Sequence, residues 1–220
     1  MTLRQRLDQV QERIQAACRR AGRSRQEITL VAVTKKFAPE VIEEAYALGL
    51  RAFGENYVQE FADKRPALEA LTEARYHFIG HLQSNKARPA AELFHAIETV
   101  DSAKLARRLN ECGRLLEVMI EVKLSGEPSK AGALPEELPP LLDAIGACRN
   151  LRLAGLMTIP PWSDDPEQTR PYFRKLAALA RAHSVHGLSM GMSNDLEAAI
   201  EEGATHIRVG TALFGERPRA

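Results

Sequence analysis

Residues 187–211 have the sequence GLSMGMSNDLEAAIEEGATHIRVGT, in which a short apolar run, a helical pattern and a second apolar run follow one another. The same alternation extends back along the chain, where the apolar runs are ITLVAVTK (28–35), RAFGEN (51–56), YHFIGH (76–81), AIETVD (96–101), LEVMIEVKL (116–124), LRLAGLMTI (151–159), GLSMG (187–191) and HIRVGT (206–211). Strands that alternate with helices pair in parallel, because a parallel connection needs a long crossover. These eight units predict a closed (β/α)8 barrel of the TIM type. An open doubly wound sheet is the alternative, but no GxGxxG turn follows the first strand.

The N-terminal segment has a different pattern. Apolar residues recur there at intervals of three and four, which predicts an amphipathic helix over residues 3–21 that ends at Gly22. We therefore expect one domain, residues 1–220, with an N-terminal helix (1–22) outside the barrel or across its floor and the barrel itself in residues 28–215. No Gly- or Pro-rich linker interrupts this series.

Charge and composition exclude several classes of function. The chain of 220 residues has 30 Lys and Arg against 29 Asp and Glu, and its formal charge of +1 predicts no nucleic-acid partner. No apolar stretch approaches the roughly 20 residues of a membrane span, and no signal peptide is evident. Cys18, Cys112 and Cys148 lie far apart, without the spacing of metal ligands. We expect a cytoplasmic protein without a metal site, and a monomer, since no exposed apolar stripe stands out.

Lys35 is the first candidate for chemistry, because it ends the first apolar run. Side chains alternate along a strand, so if Val31 and Val33 point into the barrel, Lys35 lies at its upper rim and Lys36 does not share its face. An amine held among apolar walls loses hydration, which lowers its pKa and favours attack on an aldehyde. From this strand alone, two solvated lysines at a strand end are the commoner case.

The turns after the seventh and eighth strands are the second candidate. Met192 and Ser193 lead into a helix that is predicted to begin near Asn194, and Gly210 and Thr211 open a second helical turn. The loops after these two strands often bind phosphate in this fold. Ordinary helix capping explains either turn by itself, but two such turns together favour a phosphate site.

Arg208 lies inside the eighth apolar run, where a guanidinium needs an acceptor. The acceptor is either a glutamate such as Glu121 or Glu55, or the pyridine nitrogen of a phosphate-bearing cofactor. Asn56 ends the second run and is placed to contact a ligand. His81 ends the third run, as a proton carrier or an ordinary capping residue; the other histidines show no carboxylate or Cys partner that would indicate a metal site or a triad.

These segments together resemble a known family, the pyridoxal phosphate homeostasis proteins. The resemblance extends from about residue 3 to residue 215 and is carried by LVAVTK, FGENYVQE, HFIGHLQSNK, SKAG, GLMTIPP and LSMGMSNDLEAAIEEGATHIRVGTALFG. It implies a barrel like the N-terminal domain of alanine racemase, with pyridoxal 5′-phosphate held as an internal aldimine on Lys35. It also implies that Ser193, Gly210 and Thr211 hold the phosphate, that Arg208 faces the pyridine nitrogen and that Asn56 lines the pocket.

The resemblance further implies a role in vitamin B6 homeostasis, in which the protein stores the cofactor or transfers it to pyridoxal phosphate-dependent apoenzymes, with free amino acids as further partners. We expect no catalytic turnover, because the chain ends without the second domain of the racemases. The alternatives are a weak amino-acid racemase, with His81 or Lys36 as proton carrier, and a Schiff-base aldolase. Lys123 replaces an asparagine common in the family, and Lys36, Lys123 and Lys130 are candidates for a second cofactor site.

Overall fold

Strands and helices alternate through the residues that the computed structural model describes, 1–127 and 131–216. The strands are β1 (Thr29–Val33), β2 (Ala52–Glu55), β3 (Arg75–Phe78), β4 (Ala96–Val100), β5 (Leu116–Glu121), β6 (Leu151–Met157), β7 (Leu188–Ser189) and β8 (His206–Val209). The helices are α1 (Leu3–Ala21), α2 (Pro39–Ala47), α3 (Val58–Lys64), α4 (Ala87–Leu93), α5 (Ala103–Asn110), α6 (Leu138–Gly146), α7 (Arg170–Ala182), α8 (Leu196–Glu201) and α9 (Thr211–Phe214). Each strand pairs in parallel with the next, and β8 pairs with β1, so the sheet closes. The predicted (β/α)8 barrel is confirmed.

The two faces of each strand have different surroundings. In β1, Leu30 and Ala32 belong to the apolar layer between the strands and the surrounding helices. Val33 has the opposite parity and lines a cavity inside the barrel mouth. Each large apolar side chain buried in the outer layer contributes about 1.5–3 kcal/mol to folding, so this layer holds the helices on the barrel.

The N-terminal helix α1 packs outside the barrel, against α8 and α9. Thr2 caps its first turn, and Gly22 ends it with φ of 64°, as the sequence predicted. Arg13 makes a bidentate ion pair with Glu197 of α8, in which Nε and Nη2 donate to the two carboxylate oxygens at 2.6 and 2.8 Å. Of the two positions expected for this helix, the structure therefore has the outer one.

Several predicted boundaries were too long. The first strand was expected to reach Lys35 but ends at Val33, and the seventh consists of Leu188 and Ser189 alone. The predicted first run included Thr34 and Lys35, which instead belong to the turn closed by the hydrogen bond from the N–H of Phe37 to the carbonyl oxygen of Thr34. Among the described residues, no helix combines the length and the apolar character that crossing a membrane requires.

Candidate functional site

A cavity of about 300 Å³ lies at the C-terminal mouth of the barrel. The seven residues predicted to contact a cofactor all line it: Lys35, Asn56, Met192, Ser193, Arg208, Gly210 and Thr211. Apolar residues form another part of its wall, namely Val33, Ile79, Ile159, Pro161 and Trp162. Trp162 is 73 % exposed and belongs to the loop after β6. The cavity therefore joins a lysine, an arginine and several hydroxyl groups to an apolar wall.

Lys35 lies in the turn that follows β1. The carbonyl oxygen of Thr34 accepts a hydrogen bond from the N–H of Phe37 at 3.1 Å, which closes a four-residue turn. Lys35, the second residue of this turn, is partly buried and lines the cavity. Lys36, the third residue, is exposed, has φ of 65° and does not line the cavity. The two lysines therefore have different surroundings, but a turn separates them and not the alternation along a strand from which this was predicted.

Asn56 follows β2, and the backbone of Gly80 packs closely against the backbone of Asn56. A Cβ atom at residue 80 would lie 2.3 Å from the carbonyl oxygen of Asn56, so only glycine permits this approach. The hydroxyl of Thr99 donates to the carbonyl of Gly80 at 2.6 Å. The side-chain Oδ1 of Asn56 is buried and has no hydrogen-bond partner within the described protein. A buried amide oxygen of this kind is a ready acceptor for a ligand.

The turns after β7 and β8 are joined to each other. The Oδ1 atom of Asp195 accepts from the N–H of Met192 at 2.6 Å, and the hydroxyl of Ser193 accepts from the N–H of Ala212 at 3.2 Å. Burial raises the pKa of the Asp195 carboxyl, although the Met192 N–H works in the opposite direction. Helix α8 begins at Leu196, two residues later than predicted, because this turn takes up the residues between.

Arg208 lies at the inner wall of the cavity and is 4 % exposed. Its Nη1 donates to the hydroxyl of Ser189 at 2.6 Å, and its Nη2 donates to the carbonyl oxygen of Thr158 at 2.9 Å. Burial lowers the pKa of the guanidinium, which nevertheless stays protonated in proteins. Glu55, one of the expected acid partners of Arg208, is instead paired with Lys64 at 3.0 Å.

The charge of Glu121, the other expected acid partner, does act on Arg208, together with those of Asp195 and of Glu98 in β4, which has the largest effect of the three. The sequence did not indicate the part played by Glu98. Ser189 donates its hydroxyl to Glu98 at 2.6 Å, and Nδ1 of His77 lies 2.7 Å from the other carboxylate oxygen. Burial alone would raise the pKa of Glu98, but the hydrogen bond and charge of His77 and the charges of His206 and Arg208 hold it well below its usual range. A glutamate inside the apolar run AIETV was the signal that could have revealed it, since Arg208 interrupts HIRVG in the same way.

The contact between His77 and Glu98 also corrects the expectation that His77 has no carboxylate partner. The arrangement is not a nucleophilic triad, because the Ser189 hydroxyl donates to the carboxylate and not to the imidazole. Ser189, Glu98 and His77 therefore fix the position and the charge of Arg208. We call these four residues the interior cluster.

Other candidates lie away from the cavity. His81 is 58 % exposed at its side chain, and its Nδ1 is 3.8 Å from Asp101. Neither His81 nor Lys123 lines the cavity, and Lys130 lies outside the described residues. Among the described residues, no group of three or more His, Cys, Asp or Glu side chains is arranged to hold a metal ion.

Comparison with known proteins gives consistent results. The family model for the N-terminal domain of alanine racemase matches residues 5–218. A protein of Aquifex aeolicus named pyridoxal phosphate homeostasis protein is 46 % identical over 97 % of each chain. The structure of PipY from Synechococcus elongatus, solved with pyridoxal phosphate bound, has a TM-score of 0.84 and 37 % identity and covers 97 % of this chain and 100 % of its own. An alanine racemase of Clostridium difficile shares the fold, with a TM-score of 0.76 at 14 % identity over 99 % of this chain and 57 % of the racemase.

Proposed function

Because the chain belongs to the pyridoxal phosphate homeostasis protein family, we propose that it binds pyridoxal 5′-phosphate at the barrel mouth, covalently through Nζ of Lys35, and stores or transfers this cofactor. One observation carries the proposal: Lys35 and the turns after β7 and β8 line the same cavity. A single molecule that carries both an aldehyde and a phosphate could therefore engage both groups of residues.

The residues present suit this cofactor. The unpartnered Oδ1 of Asn56 indicates that the cavity wall has an acceptor to offer a ligand. Ser193 and Thr211 supply hydroxyl groups for the phosphate, and Gly210 adds no side chain between them. When bound, the cofactor supplies an aldehyde that bonds to a lysine amine and a conjugated ring that withdraws electrons.

Arg208 would face the ring nitrogen of the cofactor. A guanidinium that stays charged discourages protonation of a neighbouring nitrogen, which weakens the ring as an acceptor of electrons. The interior cluster holds Arg208 in this charged state through Ser189 and Glu98. This chain's own residues therefore favour holding the cofactor over activating it for amino-acid chemistry, which supports a carrier.

Reductive trapping tests the proposal. The protein is incubated with pyridoxal 5′-phosphate, reduced with borohydride and mapped by peptide mass. We expect a pyridoxyl group on Lys35, its loss in Lys35→Ala and its retention in Lys36→Ala, the matched control, because Lys36 is exposed and lies outside the cavity. A protein without a label on Lys35 would refute the assignment.

Trp162 offers a second readout that needs no added label. It is the only tryptophan of the chain and lines the cavity. Cofactor bound there is expected to quench its fluorescence by energy transfer, with a dependence on concentration that matches the trapping experiment. Quenching that persists in full in Lys35→Ala would mean that Lys35 contributes little to binding.

The physiological role needs its own tests. We infer a monomeric, cytoplasmic protein whose partners are pyridoxal phosphate-dependent apoenzymes and free amino acids. Transfer from the loaded protein to an apoenzyme should be faster than release of the cofactor into solvent. Equal rates would remove the transfer role and leave storage.

A further inference from the structure

A cluster of three ionisable side chains lies outside the barrel wall, between β2 and α3. Gly54 faces the barrel interior, so its neighbour Glu55 faces outward. Nζ of Lys64 is 3.0 Å from Oε1 of Glu55 and 2.6 Å from Oε1 of Glu60. Glu55 and Lys64 are almost fully buried, and the side chain of Glu60 is 26 % exposed. We call Glu55, Glu60 and Lys64 the Lys64 cluster.

The Lys64 cluster bonds to the backbone on both sides of Lys35. Nζ of Lys64 donates to the carbonyl oxygen of Thr34 at 3.0 Å. The N–H of Lys36 donates to Oε1 of Glu60 at 2.5 Å. The hydroxyl of Thr34 also donates to Glu55 at 2.8 Å. The residues before and after Lys35 are thus held by one set of charges.

The hydrogen bonds of the Lys64 cluster are made to a turn whose backbone is strained. Lys36 is the third residue of the turn from Thr34 to Phe37 and has φ of 65°. Turns with positive φ at the third residue ordinarily place glycine there, because a Cβ atom makes this conformation unfavourable. The side chain of Lys36 is exposed, so its packing does not explain the conformation. The hydrogen bond from its N–H to Glu60 does.

We propose that the Lys64 cluster is a positioning device, which holds the turn from Thr34 to Phe37 in its strained conformation and thereby keeps the amine of Lys35 at the cavity. The inference rests on the proposed function, since it concerns how Lys35 meets the aldehyde. Strained backbone persists where the surrounding structure over-determines it, and such sites are commonly functional.

Stability by itself is a poor explanation of the cluster. Burying an ammonium and a carboxylate costs several kcal/mol of desolvation, and well-packed apolar residues often replace such a pair without loss. What apolar residues cannot supply is a donor for the carbonyl of Thr34 and an acceptor for the N–H of Lys36. These two bonds are the specific contribution of Lys64 and Glu60.

The test compares Glu60→Ala with its matched control Glu60→Gln, whose amide oxygen still accepts from Lys36. For each protein, the rate of pyridoxyl labelling at Lys35 is measured by borohydride trapping and peptide mapping, beside hydrogen exchange at the Lys36 amide. Misplacing a reacting group by about 1 Å costs up to about 100-fold in rate. We expect Glu60→Ala to label Lys35 about tenfold more slowly and to exchange the amide faster, with Glu60→Gln within about twofold of wild type.

A second aldehyde distinguishes a change in the position of the Lys35 amine from a change in its reactivity. Formaldehyde with cyanoborohydride methylates Lys35 without any alignment to the phosphate site, so its rate in Glu60→Ala should equal or exceed that of wild type. Equal slowing of both aldehydes would show a change in the reactivity of the amine and overturn the inference. Labelling by pyridoxal phosphate at the wild-type rate, despite faster amide exchange, would overturn it too.

The two proposals fail in different ways. No pyridoxyl label on Lys35 in the wild-type protein refutes the proposed function, whereas a label that Glu60→Ala leaves unchanged refutes only the positioning role. Should Glu60→Ala not fold, Glu60→Asp serves in its place. It keeps the charge beside Lys64 and shortens the reach by one methylene group, and the same slowing is expected.

Discussion

The interior cluster and the Lys64 cluster are both buried and charged, yet they are built differently. In the interior cluster both oxygens of Glu98 have partners, and the pKa of this carboxyl is lowered. In the Lys64 cluster, Oε2 of Glu55 has no hydrogen-bond partner within the described protein, and burial raises the pKa of Glu55 despite the opposing effects of Lys64 and Thr34. The interior cluster is therefore the more completely satisfied of the two.

The difference reflects what each cluster holds. The interior cluster fixes a charged side chain, Arg208, that is almost fully buried at the inner wall of the cavity, where an unpaired charge is costly. The Lys64 cluster fixes backbone groups around Lys35, and Glu60 reaches partly into solvent. Water near Glu60 lowers the cost of an incomplete network. Substitutions should therefore affect the two clusters unequally.

The largest expected difference in the free energy of unfolding is between Glu98→Gln and Glu55→Gln. Glu98→Gln removes the carboxylate paired with His77 and the strongest of the negative charges that act on Arg208, ahead of Glu121 and Asp195, which we expect to lower the free energy of unfolding by about 3–5 kcal/mol. Glu55→Gln leaves Lys64 paired with Glu60 and should cost about 1 kcal/mol. Urea denaturation at neutral pH measures both values. Similar losses in the two variants would remove the distinction between the clusters.

The pH dependence of stability should have opposite signs in the two clusters. The folded-state pKa of Glu98 is lowered from 4.5 to about 2, so the stability it contributes is complete above pH 4.5 and is lost as the pH falls through about 2. For Glu55 the folded-state pKa is raised, so protonation favours the folded state, and its contribution falls as the pH rises from 4.5 through the folded-state value. The free energy of unfolding of each Gln variant and of the wild type is measured between neutral and acidic pH. As the pH falls, we expect the values of Glu98→Gln and the wild type to converge, and those of Glu55→Gln and the wild type to diverge.

Removing one hydroxyl from each cluster should give a smaller difference in the free energy of unfolding than replacing the glutamates. Ser189→Ala breaks the link between Arg208 and Glu98 and should cost about 1–3 kcal/mol, because it leaves buried charged groups short of a partner. Thr34→Val removes one donor to Glu55 but keeps the shape, and we expect about 1 kcal/mol. The same denaturation experiment decides between them, and an equal or larger loss in Thr34→Val would contradict the comparison.

The smallest effect concerns Lys36. Lys36→Gly removes the Cβ atom that disfavours positive φ and should raise the free energy of unfolding by about 1 kcal/mol relative to Lys36→Ala, which keeps that atom. Thermal or urea denaturation of these two variants measures the difference. Equal stabilities would mean that the turn from Thr34 to Phe37 carries no strain.

Much of the site could be predicted from residue types at the ends of the strands. Lys35, Asn56, Ser193, Gly210 and Thr211 all follow strands, and in a (β/α)8 barrel these positions meet at one end. The sequence does not indicate a residue that acts through another one far along the chain. Ser189 and Glu98 are 91 residues apart, and nothing local to either predicts their hydrogen bond.

Lys64 shows the same limit on a shorter scale. It ends α3 and looks like an ordinary basic residue near the C-terminus of a helix, where a lysine is favourable in any case. Only the packing of α3 on β2 buries it beside Glu55 and brings it to the carbonyl of Thr34.

The order of strands and helices and the end of α1 at Gly22 followed from the sequence by itself. Each depends on periodicity and on conformational preferences that neighbouring residues impose on one another. The two charged clusters, the true end of β1 and the positive φ of Lys36 were decided by the tertiary structure alone. They depend on the closure and register of the barrel, which bring together groups whose separation along the chain carries no information about their contact.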